Sequence, residues 1–336
     1  MEAGRLEVAS FIHGHPDEIV FTSGGTEANG LALEAAGRTA HRKGIEKPHI
    51  IISTIEHSSI VETANMLEKH GVEVTRIPVD ATGVVSVDEI KRAIKPSTYM
   101  VSIMMVNNEI GSIQPIREIA KAIRWARANV TKTQYPLFHT DAAQAALYMD
   151  LNVEQLGVDL MTLDGTKMCG PRGIGFLYVR RNTPIEQIIY GGGQERGLRS
   201  GTENIPGIMG FAESCRLAAR SRKSETARIQ KLKNAFVKKL RKIRPDAIVA
   251  GGDVTAPHIL NVSLPGIDNE FFVLKLDAKG VAASTKSSCL RDEDESYVLK
   301  AIGADSKTAV RFSFGRWTKR RDIKGALKII ARTLTS

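Results

Sequence analysis

The chain has 336 residues, 42% of them hydrophobic and 25% charged. That length supports a sizeable core in about two domains, and the composition excludes disorder, collagen-like repeats and coiled coil. Lys and Arg number 47 against 37 Asp and Glu, a net charge of +10, but aromatics are only 5% and do not interleave with the basic residues, so direct nucleic-acid binding is not expected.

Apolar runs such as 100–106 are too short to span a bilayer. The opening Met1-Glu2-Ala3-Gly4-Arg5 has no apolar stretch behind it of the secretory kind. Three widely separated cysteines, Cys169, Cys215 and Cys289, form no C-x-x-C pair, which argues against a disulfide framework or a zinc knuckle. The expectation is a soluble protein of a reducing compartment, the cytoplasm. His13 and His15 read as surface imidazoles, so no metal is expected.

In chain order, residues 49–54 read as a strand, 59–70 as a helix, 72–78 as a strand and 87–94 as a helix. Strand 99–106, helix 116–128 and strands 137–141, 160–163 and 173–179 follow. The strands are near-continuous apolar runs, as in a sheet covered on both faces. Repeated strand–helix–strand units predict an α/β fold with a largely parallel sheet. A long basic amphipathic helix ends near Arg244 and Pro245, its cationic face solvated. Strand 259–264, helix 269–278, strand 310–314 and helix 319–334 make a smaller α+β layer. The boundary falls inside the basic helix, giving domains 1–222 and 223–336.

Ligands of open α/β sheets collect at the carboxyl ends of strands. Residues 22–29, Thr-Ser-Gly-Gly-Thr-Glu-Ala-Asn, precede a helical stretch, where glycines and the Thr26 hydroxyl suit either a phosphate or an ordinary capping turn. Asp141 ends an apolar strand. It is placed to pair with a protonated ring nitrogen, with Gln144 bonding a neighbouring oxygen, or to cap a helix, and spacing alone favours the cap. Lys167, before a Gly-Pro-Arg-Gly turn, is a candidate nucleophilic amine or a surface loop lysine. The glycine-rich loop 191–202, with Arg196 and Arg199, suits an anion or is a plain glycine loop. Cys289 lies in a polar run, 283–295, without helix or strand pattern, which favours reactivity, whereas core packing is the default for Cys169 and Cys215. Arg311 leads a strand and suits a carboxylate or a surface ion pair.

Taken together, these segments resemble the cysteine desulfurases of the iron–sulfur assembly type, class V aminotransferases of the fold-type I pyridoxal phosphate group. The matching stretches are FTSGGTEAN at 21–29, EHSS at 56–59, VNNEIGSIQP at 106–115, DAAQ at 141–144, GTKMCGPRGIGFLYVRR at 165–181, GGGQERGLRSGTEN at 191–204, SSC at 287–289 and VRFSFGRWT at 310–318. The resemblance implies a large domain built on a mostly parallel seven-stranded sheet, plus a smaller α+β C-terminal domain.

It also implies pyridoxal 5'-phosphate as cofactor, carried by Lys167. His57 would stack on the ring, Asp141 would hold the ring nitrogen protonated, and Gln144 would bond the ring oxygen. Asn108 would lie near the cofactor and substrate, and Gly25, Thr26 and Thr166 would serve the phosphate, with Thr202 reaching it from the other subunit of a homodimer. Arg311 would bind the carboxylate of L-cysteine, and Cys289 would take the sulfur as a persulfide. A protein sulfur acceptor or iron–sulfur scaffold would receive it, for cluster assembly or tRNA thiolation. The alternatives are another pyridoxal phosphate lyase, such as a selenocysteine lyase, and a non-catalytic member of the family.

Two departures from the family pattern stand out. The chain opens close to the helix before FTSGGT, without the family's Asn-Ala-Ala-Thr-Thr-like segment. The lysine loop reads Asp164-Gly165-Thr166-Lys167 where the family has Ser-x-His-Lys. Thr166 keeps the histidine's hydrogen bond without its charge or ring. An acid beside a phosphate is unfavourable unless it turns away.

Overall fold

The computed structural model describes residues 1–285 and 295–335. They group into two units: the first comprises 1–78, 85–106 and 114–222, and the second 79–84, 107–113 and 223–336.

In the first unit, α1 (Glu2–Phe11), β1 (Ile19–Thr22), α2 (Gly25–Arg42), β2 (His49–Ser53), α3 (Ser58–Lys69) and β3 (Glu73–Ile77) come first. Next come α4 (Val87–Ala93), β4 (Thr98–Ser102), α5 (Ile116–Ala126), β5 (Leu137–Asp141), α6 (Val153–Leu156), β6 (Leu160–Asp164) and β7 (Gly175–Val179). The seven strands form one sheet in the order β1-β7-β6-β5-β4-β2-β3. Neighbours from β3 to β6 run parallel, and β7 is antiparallel to both β6 and β1. Strands β2, β4 and β5 are buried along their whole length, which is why they read as unbroken apolar runs. Edge strand β3 is part-exposed and carries Glu73 and Arg76, charges that discourage pairing with another sheet.

Helix α2 is packed by small side chains. Ala28, Leu31, Ala32, Ala35 and Ala36 share one buried cluster with Ile50, Met100, Leu160 and Leu177 of the sheet. Alanines at helical spacing allow a close approach of helix to sheet, and this fixes where the α2 N-terminus ends up. The strand expected over 99–106 stops at Ser102. Beyond it Met104 N donates to both carboxyl oxygens of Glu56, at 3.0 Å each, while Ile103 N and Met105 N still reach the β5 carbonyls of His139 and Asp141, at 3.1 and 2.8 Å.

Helix α7 (Ile205–Ile243) belongs to the first unit up to Arg222 and to the second thereafter. The second unit adds β8 (Ile248–Val249), β9 (Ile259–Ser263), α8 (Asn269–Asp277), α9 (Tyr297–Ala301), β10 (Ala309–Ser313) and α10 (Arg320–Leu334). Its three strands are antiparallel in the order β10-β9-β8. Phe236 of α7 meets Phe312 at 5.0 Å and Phe314 at 5.7 Å between ring centroids. Packing of this kind adds specific geometry to simple apolar burial. Among the described residues, no helix is long and apolar enough to cross a membrane.

Candidate active site

The carboxyl ends of β2, β5 and β6 gather His57, Asp141 and Asp164 in the first unit. Asp141 closes β5 and is 8% exposed. Its Oδ1 accepts from Ala143 N at 2.9 Å, the turn-capping contact, and its Oδ2 accepts from Asn29 Nδ2 at 2.8 Å. Asn29 Nδ2 also donates to Ser59 Oγ at 2.9 Å. Ser59 Oγ is 2.8 Å from His57 Nδ1, and Ser59 N donates to the same nitrogen at 3.2 Å. An Nδ1 that accepts from a backbone amide carries no proton in the neutral ring, so Ser59 Oγ donates to it and the ring proton sits on Nε2. His57 caps α3. One directed chain of bonds, Asn29 to Ser59 to His57, therefore orients the imidazole, while the same amide steadies Asp141.

Behind this chain lies Glu56, fully buried, which accepts from Ser53 Oγ at 2.5 Å and from Met104 N. Burial pushes its carboxyl up to about 8, and the nearby Asp141 charge pushes the same way. Burial thus favours the neutral acid, and Glu56 ties the end of β2 to the backbone after β4. His139 on β5 is buried between Ser102 Oγ at 2.8 Å and Thr162 Oγ1 at 3.0 Å, and burial drops its ring to about 3.

Gly175 explains the other end of the site. It pairs with Thr22 on β1 and with Asp164 on β6, so it brings the α2 N-terminus and Asp164 to the same place. A Cβ at Gly175 would meet the Leu163 carbonyl at 2.7 Å and Gly24 Cα at 2.8 Å. Asp164 has not turned away from the position the sequence suggests for a phosphate. Its Oδ2 accepts from Gly25 N at 2.9 Å, and its Oδ1 accepts from Thr166 N at 2.8 Å and from Thr166 Oγ1. Thr166 and Lys167 follow in a short 3₁₀ turn, both exposed, and among the described residues the Lys167 amine has no partner. Thr26 and Thr202 are also exposed, and Gln144 is half-buried in the turn after β5.

Two expectations are corrected here. Cys169 is exposed, at a left-handed position that ends the lysine turn, and is not a core residue. Cys215 is buried. Arg199, expected to face an anion, is engaged internally: its Nε donates to Glu27 at 2.7 Å, and Glu27 also accepts from Ser23 N at 2.7 Å. The glycine-rich loop is anchored by Glu195, which accepts from Arg5 at 2.7 and 2.9 Å and from Phe21 N at 2.9 Å.

In the second unit, Arg311 on β10 donates through Nη1 to the Asn108 carbonyl at 3.0 Å. Its Nε is buried with no partner among the described residues. Burial lowers the guanidinium from its usual value while the Glu109 charge raises it. A half-buried guanidinium whose buried Nε is an unmet donor suits a carboxylate. Arg311 N donates to the Ser284 carbonyl at 2.7 Å, and Ser296 Oγ donates to Glu109 at 2.5 Å. These contacts anchor both flanks of the segment that contains Cys289. Cys289 itself lies outside the described residues.

The residues fit the ring of pyridoxal phosphate. Asp141 is a largely buried carboxylate with two donors already in place, next to Asn29 Oδ1, a buried acceptor without a partner among the described residues. That set favours a cationic N–H over a neutral acceptor. The phosphate end differs, because the Gly25 amide already holds a carboxylate. Asn29 and Ser59 were inside the motifs of the sequence but not singled out. A polar residue one turn into an alanine-rich helix, and a serine two places after a histidine cap, were the signals available.

The family described as aminotransferase class-V matches residues 1–325. The cysteine desulfurase IscS of Dictyoglomus turgidum is 37% identical over 99% of this chain and 83% of its own. The mitosomal cysteine desulfurase of Encephalitozoon cuniculi is 40% identical over 96% of this chain and 74% of its own. A solved NifS-like protein superposes with a TM-score of 0.90 at 32% identity, covering 99% of this chain and 87% of that one.

Proposed function

The chain belongs to the class-V aminotransferase family, among its cysteine desulfurases, which depend on pyridoxal phosphate, and from that premise we propose how its residues divide the work. L-cysteine is the substrate, L-alanine the organic product, and the sulfur passes to an acceptor protein for iron–sulfur cluster assembly or tRNA thiolation. When bound, pyridoxal phosphate supplies a covalent handle for the substrate amine and an electron sink for charge at its Cα.

Asp141 would hold a proton at the ring nitrogen, His57, oriented by Ser59, would stack on the ring, and Gln144 would bond the ring oxygen. Lys167 would anchor the cofactor, and its amine would take the Cα proton. Arg311 binds the substrate carboxylate, with Asn108 beside it. The Cys289 thiolate attacks the substrate sulfur: an S–S bond forms, the C–S bond breaks, and its electron pair stays with the carbon that takes up a proton to become alanine's methyl.

The proposal takes 1–222 as the cofactor-binding domain and 223–336 as the C-terminal domain that carries Cys289. It includes a homodimer, in which Thr202 serves the partner's phosphate site, and a cytoplasmic setting, which suits free thiols at Cys169 and Cys215.

The observation that supports this reading is the bond chain from Asp141 through Asn29 and Ser59 to His57, which fixes together the two groups that the reading assigns to the cofactor ring. The test is product analysis with L-cysteine. Wild type yields equal alanine and transferred sulfur, Lys167→Ala yields neither, and Cys289→Ala loses transfer to the protein. Unchanged turnover in Cys289→Ala would favour a lyase that releases its product without a persulfide.

A further inference from the structure

The Asp164 carboxylate sits where the cofactor reading puts a phosphate, and its surroundings show how firmly it is held. Both oxygens are used: Oδ2 on Gly25 N at 2.9 Å, Oδ1 on Thr166 N at 2.8 Å and on the Thr166 hydroxyl. Gly25 opens α2, so the carboxylate also meets the positive end of the helix. These are the interactions a helix N-terminus offers a phosphate. The second carboxylate of this turn, Glu27, is matched by Arg199 at 2.7 Å. Asp164 forms no ion pair among the described residues, so its charge is answered only by amides, a hydroxyl and the helix. A phosphate brought to the same amides would meet a fixed like charge.

We propose that Asp164 is a specificity-determining residue: its carboxylate fills the phosphate seat at the α2 N-terminus, and pyridoxal phosphate binds this chain only by displacing it. The proposal rests on the cofactor reading above. In its terms, Asp164 cancels much of the advantage that a phosphate gives the cofactor. Pyridoxal, which lacks the phosphate, is not penalised. Thr166, which donates through both its amide and its hydroxyl, keeps the carboxylate in place.

The test compares equilibrium dissociation constants for pyridoxal phosphate and pyridoxal, by absorbance titration of the full chain stripped of cofactor. Three proteins are measured: wild type, Asp164→Ser and Asp164→Asn. The asparagine variant keeps the shape and an acceptor for Gly25 or Thr166 while removing the charge, and thermal unfolding shows whether each variant folds. The expected result is tighter pyridoxal phosphate binding in both variants, by roughly tenfold or more for removal of one adjacent like charge. Pyridoxal binding should change little. An unchanged preference for pyridoxal phosphate over pyridoxal in Asp164→Asn would overturn the proposal and leave the cofactor reading intact. So would a preference that falls, since Asp164 would then be shaping the seat. Binding of neither compound by any of the three proteins would overturn the cofactor reading and this proposal with it.

Discussion

Asn29 is the residue on which the two sides of the ring site converge. Its amide serves Asp141 at 2.8 Å and Ser59 at 2.9 Å from a position 1% exposed. Asn29→Ala leaves a buried carboxylate short of a donor, at a cost of about 1–3 kcal/mol, and frees the hydroxyl that orients His57. Denaturant unfolding should show the loss, and cofactor retention on dialysis should fall with it. Asn29→Asp keeps the shape but opposes two carboxylates, so it should be the worse of the two. Glu56 makes a prediction of its own. Its carboxyl is raised from an ordinary 4.5 to about 8. Between those values the folded protein holds a proton that the unfolded chain has released, so stability from this group falls as pH rises through that window. Glu56→Gln removes the titration. Its melting temperature should hold up better than the wild type's between pH 5 and pH 8, roughly the window over which the acid would titrate. A parallel decline in both proteins would refute the assignment.

At the scale of elements, Gly175 decides how close β1, β6 and the start of α2 come. Gly175→Ala would press a methyl against backbone on two sides, at 2.7 and 2.8 Å. Backbone yields less readily than a side chain, so we expect a loss of about 1–3 kcal/mol, read as a lowered melting temperature, together with weaker cofactor binding. The element pattern also shows what sequence can carry. Strands β2, β4, β5 and β6 are legible because burial on both faces demands continuous apolar residues. Strand β1 is only Ile19–Thr22 and runs straight into a glycine motif, too short to show a period. The strand at 99–106 was read too long because 103–106 is as apolar as the strand before it. Burial there is real, but the Met104 amide belongs to Glu56, and composition does not reveal a hydrogen-bond partner 48 residues away.

For the whole molecule, the candidate site residues were legible as motifs, and their partners were not. Asp141 was open between a cap and a ring contact; the structure shows the capping contact, Oδ1 with Ala143 N, and holds Oδ2 with Asn29, a partner that spacing did not reveal. The relation of Asp164 to Gly25 depends on a strand order, β1 beside β7 beside β6, that joins residues 139 apart in the chain. No local spacing encodes it. Likewise Arg311 shows as a strand arginine in sequence, while its bond to the Asn108 carbonyl and its unmet Nε emerge only when β10 and the 107–113 segment fold together. The central claim is that this assembly forms a working pyridoxal phosphate site with Lys167 at its reactive end. The most direct measurement is the absorption spectrum of the protein loaded with pyridoxal phosphate and freed of unbound cofactor, before and after L-cysteine, beside Lys167→Ala. The account predicts a visible-edge band that shifts on adding L-cysteine, and no such resting band in Lys167→Ala. A protein that is colourless after incubation with pyridoxal phosphate and removal of the unbound cofactor, or a band that Lys167→Ala leaves intact, would contradict it.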